Sequence, residues 1–302
     1  MDNANVRIDF SKIRMPDVTG TVSRPRLLKR LERNRNKNLI FLTGQAAQGK
    51  STITASYLQE SESPCAWINI SADESHPVNL FYTLIFSLEN AVQGIDLSPL
   101  WDYPALSAGP RDEAGLYRDW LNALFSQLPF PLHIVFDGLD RLDPGASSNL
   151  FLKVCSEVVP PATQLWFLSR TGEPFNLKEL KMNPKGFVME NSELSFTKSE
   201  IKKYFRKFNR IKLGKDHLTL VHRITEGWVG GLILLSEVLD RIPEEKQVNS
   251  LFSEVSSEFQ IQAFQYFGEI IWESLPRQTQ SFLIVSSIFE SIEPELMAEL
   301  YE

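Results

Sequence analysis

The segment Gly44-Gln45-Ala46-Ala47-Gln48-Gly49-Lys50-Ser51 constrains this chain more than any other. It meets every fixed position of the loop pattern G-x-x-x-x-G-K-[ST]. Asn38-Leu39-Ile40-Phe41-Leu42-Thr43 reads as a buried strand before it, and Thr52-Ile53-Thr54-Ala55-Ser56-Tyr57-Leu58 as a helix after it. A strand, a glycine loop and a helix in that order form a cradle for a polyphosphate. Glycines let the backbone wrap the anion and turn its N–H groups inward, and the helix N-terminus adds partial positive charge at the same point. Gly44 to Ser51, with Thr52 in the first helical turn, are therefore the expected nucleotide contacts. Lys50 is expected to reach the terminal phosphates and the Ser51 hydroxyl to ligate Mg²⁺.

The 302 residues suffice for one large domain and one or two small ones. A net charge of −7 gives no global reason to expect nucleic acid or an anionic membrane as a partner. The two cysteines, Cys65 and Cys155, have no metal-ligand spacing and fit a reducing compartment. The first residues lack the basic and apolar regions of a signal peptide, and no apolar run reaches the length of a membrane span. A cytoplasmic protein is expected.

Up to about residue 195, strand-like and helix-like patterns alternate, which predicts an α/β domain with a parallel sheet of five strands. The predicted strands are Leu39–Thr43, Cys65–Ile70, Leu132–Asp137, Gln164–Ser169 and Gly186–Glu190. Leu80, Phe81, Leu84, Ile85 and Leu88 recur at helical spacing, as do Leu116, Trp120, Ala123 and Leu124. Residues 94–111, with several prolines and glycines, read as a loop. From Phe196 the pattern turns helical. Thr197-Lys198-Ser199-Glu200 reads as a capping box, and Ile201, Tyr204, Phe205 and Phe208 as one apolar stripe. Further helices are expected near 216–224, 228–241 and 258–274, then two short ones at Thr279–Ile288 and Glu293–Tyr301. Two short helices cannot close a core of their own, so this last part is expected to continue in a longer protein. The domain expectation is 1–195 for nucleotide binding, 196–262 for a helical domain and 263–302 for the start of a third domain.

Leu132-His133-Ile134-Val135-Phe136-Asp137 is an apolar strand ending in a carboxylate, the second element of a phosphate site (Walker B). An acidic strand end is common in isolation. Paired with the loop at 44–51, Asp137 is expected to hold Mg²⁺ opposite Ser51. Asp140 stands three residues on, where it either orients the attacking water or caps a helix. Gln164–Ser169 ends in Arg170, and a charge at that strand edge is expected to sense the γ-phosphate. Lys50, Asp137, Asp140 and Arg170 make up the candidate catalytic set. Trp228, between Gly227 and Gly230, reads either as a base-stacking ring or as a core tryptophan.

The order of these motifs resembles the signal-transduction ATPases with numerous domains (the STAND class), in the branch typified by the maltose-regulon transcription activator. The likeness begins at Val22-Ser23-Arg24-Pro25-Arg26-Leu27-Leu28 and runs through the phosphate loop. It continues through Ala66-Trp67-Ile68-Asn69-Ile70, Asn79-Leu80-Phe81, a NACHT-like Asp137-Gly138-Leu139-Asp140, and Leu168-Ser169-Arg170. It ends with Leu194-Ser195-Phe196-Thr197, Thr225-Glu226-Gly227-Trp228 and Leu275-Pro276 with Phe282-Leu283. The resemblance implies an AAA+-like P-loop fold, then a small helical domain and the opening of a winged helix. It implies that Arg24 touches adenine. It also implies a regulatory switch that rests on ADP, exchanges it for ATP on a signal, oligomerises in the ATP state and resets by slow hydrolysis. Sensor and effector domains are expected elsewhere, with transcription regulation as output. Two positions depart from the pattern: Val229 stands where the family carries proline, and Gly138 where it carries an acidic residue.

Other readings are weaker. The lysines and arginines between 198 and 215 fit the solvated face of an amphipathic helix better than a nucleic-acid patch. The four histidines show no metal spacing, and no Asn-Lys-x-Asp motif follows a late strand, which favours ATP over GTP. A P-loop phosphotransferase acting on a small molecule is the alternative function. A scaffold that binds nucleotide without hydrolysis is the third, opposed by intact Lys50, Ser51 and Asp137.

Overall fold

The computed structural model describes residues 9–61, 63–101, 112–240, 272, 275–287 and 289. The chain falls into two compact units, one of residues 1–200 with 226–230 and one of residues 201–225 with 231–302.

The first unit is built on five strands: β1 (Leu39–Thr43), β2 (Cys65–Asn69), β3 (Leu132–Asp137), β4 (Thr163–Ser169) and β5 (Gly186–Met189). All neighbours pair in parallel, in the order β2-β3-β4-β1-β5. The five predicted strands are present, each within a residue of its expected ends. A parallel sheet is buried on both faces, so its strands read as apolar runs without polar alternation. Successive side chains still point to opposite faces. Leu39, Phe41, Ile134, Phe136, Leu165 and Phe167 belong to one core, with side chains of α3 (Pro77–Ala91), α4 (Glu113–Gln127) and α5 (Ser147–Val158). Ile40, Leu42, Val135, Trp166 and Leu168 belong to the other, with Leu27 and Leu31 of α1 (Pro25–Arg33) and Ile53, Ala55 and Leu58 of α2 (Lys50–Leu58).

Two short helices, α6 (Leu177–Met182) and α7 (Asn191–Leu194), flank β5. The expected loop at 94–111 contains one 3-10 turn, Ser98–Leu100, and its part from 102 lies outside the described residues.

The second unit carries most of α8 (Lys198–Phe208), α9 (Lys215–Thr225), α10 (Val229–Asp240) from Gly231 on, and α11 (Arg277–Ser286). The capping box at Thr197 forms: the Thr197 N–H donates to Glu200 Oε2 at 2.8 Å and the Glu200 N–H to Thr197 Oγ1 at 3.3 Å. Ile201, Tyr204 and Phe205 are buried, whereas Phe208, read as part of the same stripe, is 47% exposed and packs on Tyr204. Lys202, Lys203, Arg206 and Lys207 occupy the solvated face. Asn209 ties the C-terminal end of α8 to α10, donating to Ser236 O and accepting from the Ser236 hydroxyl. The helix expected at 258–274, apart from residue 272, and the one at 293–301 lie outside the described residues. No single described helix is long and apolar enough to cross a membrane.

Candidate functional site at the carboxyl ends of the strands

Strand order decides which side chains meet. β4 lies between β1 and β3, so the residues that follow these three strands converge at one sheet edge. In register, Thr43 pairs with Ser169 and Asp137 with Leu168. The phosphate loop, Asp137 and Arg170 are thus brought together although they lie far apart in sequence.

The loop leaves β1 with the Gly44 N–H on Ser169 O at 3.2 Å and turns into α2 at Gly49, the N-cap, in the left-handed conformation with φ 84°. No side chain caps this helix, so its first N–H groups remain available to an anion. Gln45 and Ala47 are exposed, Gly44, Ala46 and Gln48 buried, and Gly49, Lys50, Ser51 and Thr52 half-buried. The Lys50 ammonium donates to Gly44 O at 2.5 Å and Gln45 O at 3.1 Å. Burial pulls its pKa down, and the Asp140 and Asp137 carboxylates oppose that shift.

Asp137 closes β3. Burial raises its pKa, with the Ser51 hydroxyl, Lys50 and Arg141 acting in the opposite direction. Gly138 is the N-cap of the 3-10 turn Leu139–Arg141, so Asp140, inside that turn, is not a helix cap. Its carboxylate instead accepts the Arg170 N–H at 2.8 Å and faces the Arg170 guanidinium at 3.3 Å. Arg141 was missed in the sequence. It donates to Ile70 O and directs its charge toward Asp137. An arginine one turn past an acidic strand end carries no pattern that marks it.

Hard oxygen donors set the metal chemistry. Among the described residues, no three His, Cys, Asp or Glu side chains converge as a metal cage. One hydroxyl, Ser51, and one carboxylate, Asp137, fit Mg²⁺, which keeps several waters and takes phosphate oxygens besides one or two protein ligands.

Asn191 and Gln48 form a further layer that the loop motif does not announce. Asn191 Oδ1 accepts the Gln45 N–H at 3.1 Å, and the Gln48 amide donates to Ser195 Oγ at 3.1 Å. Arg24 is 6% exposed. Its guanidinium donates to Leu194 O, Ser195 O and Glu200, and lies 4.2 Å from the centre of the Phe196 ring. Trp228 is half-buried, and its indole N–H donates to Ala46 O at 2.8 Å.

No family model matches the chain. It is 24% identical to the HTH-type transcriptional regulator MalT of Serratia proteamaculans, over 96% of this chain and 31% of the relative. It is 23% identical to the MalT of Yersinia enterocolitica, over 96% and 32%. The chain therefore spans about a third of the length of the curated relatives it matches. Among solved structures, it is similar to a STAND protein with a tetratricopeptide repeat sensor from Pyrococcus horikoshii, with a TM-score of 0.54 and 17% identity over 95% of this chain and 38% of that one. A Walker-type ATPase of Pyrococcus abyssi gives a TM-score of 0.52 and 15% identity, over 93% of this chain and 88% of that one. In sequence the chain is thus similar to the MalT transcription regulators, and its fold is that of the P-loop ATPases, as in the STAND protein and the Walker-type ATPase.

Proposed function

We propose that this chain is the nucleotide-driven switch module of a larger regulator, one that binds ATP, hydrolyses it slowly and rests with ADP. The observation that carries this reading is the convergence of the phosphate loop, Asp137, Asp140 and Arg170 at the carboxyl ends of three adjacent strands. The free N–H groups at the start of α2 and the Lys50 ammonium would bind the phosphates. Ser51 and Asp137 would hold Mg²⁺, which supplies neutralising charge to the phosphate oxygens. Asp140 would orient the attacking water and Arg170 would sense the γ-phosphate.

Slow turnover follows from the same residues. Position 138 carries no carboxylate, and the Asp140 carboxylate is paired with Arg170. A slow reset suits a switch, because the γ-phosphate then biases a bistable arrangement for long enough to be read. The domain reading 1–195, 196–262 and 263–302, the sensor and effector domains beyond this chain, and homo-oligomerisation in the ATP state belong to the same proposal.

The test is to release and identify the nucleotide that co-purifies with the protein, and to weigh the complex in solution with ADP and with ATP. ADP held on a monomer, with mass rising in ATP, is the expected result. Rapid phosphate release from a site that retains no nucleotide would point to a constitutive ATPase. Release only when a small-molecule acceptor is added would point to a phosphotransferase.

A further inference from the structure

The phosphate loop is gripped from outside by a segment that follows much later in the chain, Trp228 standing 182 residues after Ala46. The indole N–H of Trp228 donates to Ala46 O at 2.8 Å, and the Gly230 N–H donates to Ala47 O at 3.0 Å. Gly230 is the second residue of α10, so its N–H is one of the helix-start donors that has no partner inside the helix. The loop carbonyl supplies that partner. The approach is close: a Cβ at Gly230 would lie 2.5 Å from the Trp228 ring and 3.0 Å from the Ala47 Cβ.

These two bonds fix more than two carbonyls. In a trans peptide the C=O of one residue and the N–H of the next point in opposite directions across one rigid plane. Holding the Ala46 carbonyl on the indole therefore turns the Ala47 N–H the other way. Holding the Ala47 carbonyl on Gly230 does the same for the Gln48 N–H. The Gly44 and Gln45 N–H groups are already taken by Ser169 O and Asn191 Oδ1. Ala47 also stands at φ 53°, a strained backbone for a residue with a side chain, so an outside hold is needed to keep the loop in this shape.

We infer that Trp228 is a positioning residue of the phosphate cradle: together with Gly230 it aims the Ala47 and Gln48 N–H groups at the bound phosphates, and it acts through the loop backbone. The segment 226–230 groups with the first unit, whereas α9 before it and α10 from Gly231 on belong to the second. It is itself anchored, since the Phe196 N–H donates to Gly227 O at 2.8 Å. The aim of two phosphate donors thus depends on a strap that is covalently continuous with both helices.

This inference rests on the nucleotide reading of the loop, and the experiment separates the two. A fluorescent ADP analogue is titrated into the wild type, Lys50→Ala and Trp228→Phe, and displaced with ADP or with inorganic pyrophosphate, which reports the cradle alone. Trp228→Phe keeps an aromatic ring and removes the N–H donor together with part of the indole's bulk, so the melting temperature without ligand controls for lost packing. Its expected effect is a loss of about fivefold in affinity, equal for ADP and pyrophosphate, as for the loss of one hydrogen bond, with an unchanged melting temperature without ligand. Affinities equal to wild type, or a loss confined to ADP, would overturn the inference, the second because it marks a base contact. Wild-type affinity in Lys50→Ala would instead overturn the nucleotide reading. A measurement on the unaltered protein complements the variant. Hydrogen exchange in 226–230 is expected to slow together with 44–51 on addition of pyrophosphate, and no change in 226–230 counts against the strap.

Discussion

Asp140 holds Arg170 at two points: one carboxylate oxygen accepts the Arg170 backbone N–H at 2.8 Å and the other lies 3.3 Å from its guanidinium. The two residues follow adjacent parallel strands, so the pairing is a direct consequence of β3 lying beside β4. The group proposed to orient water and the group proposed to sense the γ-phosphate are therefore one unit. Asp140→Ala is expected to slow single-turnover hydrolysis by about 100-fold, the lower range for a positioned acid–base group, while ADP affinity stays within about threefold of wild type. Because the partners touch, Asp140→Ala and Arg170→Ala should combine non-additively. Rates that multiply independently in the double variant would show that the contact carries no catalytic coupling.

Lys50 provides a separate handle on binding. Its ammonium rests on the Gly44 and Gln45 carbonyls and is partly desolvated. Removing it takes away charge-assisted hydrogen bonds to phosphate, each worth about 1.5–3 kcal/mol. Lys50→Ala is expected to lose at least about 100-fold in ADP affinity by calorimetry. The melting temperature without nucleotide should stay within a few degrees of wild type, since Arg141 and the Ser51 hydroxyl still face the buried Asp137 carboxylate. Undiminished ADP affinity would remove Lys50 from the phosphate site.

The strands were legible in the sequence because both faces of a parallel sheet are buried, which leaves short apolar runs such as Leu132–Phe136 between polar punctuation. The loop was legible because its glycines and lysine are fixed by chemistry. The second layer was not. Asn191, Gln48 and Arg141 act through hydrogen bonds to atoms far away in sequence, and such bonds leave no period or spacing. The same holds for Arg24. Its burial against Glu200 and Phe196 depends on where the chain returns after β5. Phe208 fell on the predicted stripe yet is largely exposed, because a residue at the last position of a helix extends past the surface its stripe covers.

Gly138 stands where the resemblance to the STAND class implies an acidic residue, and its backbone suits glycine. It stands at φ 94°, where an L side chain is strained, and a Cβ there would lie 3.3 Å from Ile70 O. Gly138→Asp, which restores the acidic character, is expected to cost about 1–2 kcal/mol of stability and not to accelerate hydrolysis. Denaturant unfolding alongside a phosphate-release assay checks both parts. A variant as stable as wild type with faster turnover would mean that the backbone accommodates the carboxylate and that its absence alone limits the rate.

At the opposite edge of the sheet, His133 gives the fold a defined response to acid. Its imidazole is buried at the start of β3, with Nε2 3.1 Å from the Ser61 hydroxyl and the Trp166 ring beside it. Burial pushes its pKa down to about 4. In the unfolded chain the pKa returns to about 6.5. Between these values the unfolded state binds more protons than the folded one, so stability rises with pH across that window and is lost as pH falls from about 6.5 toward about 4. The limiting slope is about 1.4 kcal/mol per pH unit. From pH 7 to pH 5, the wild type is expected to lose about 1–2 kcal/mol more than His133→Gln, which cannot titrate. Urea unfolding of both proteins at the two pH values measures the difference. Equal losses would mean that the native imidazole takes up its proton as readily as in the unfolded chain.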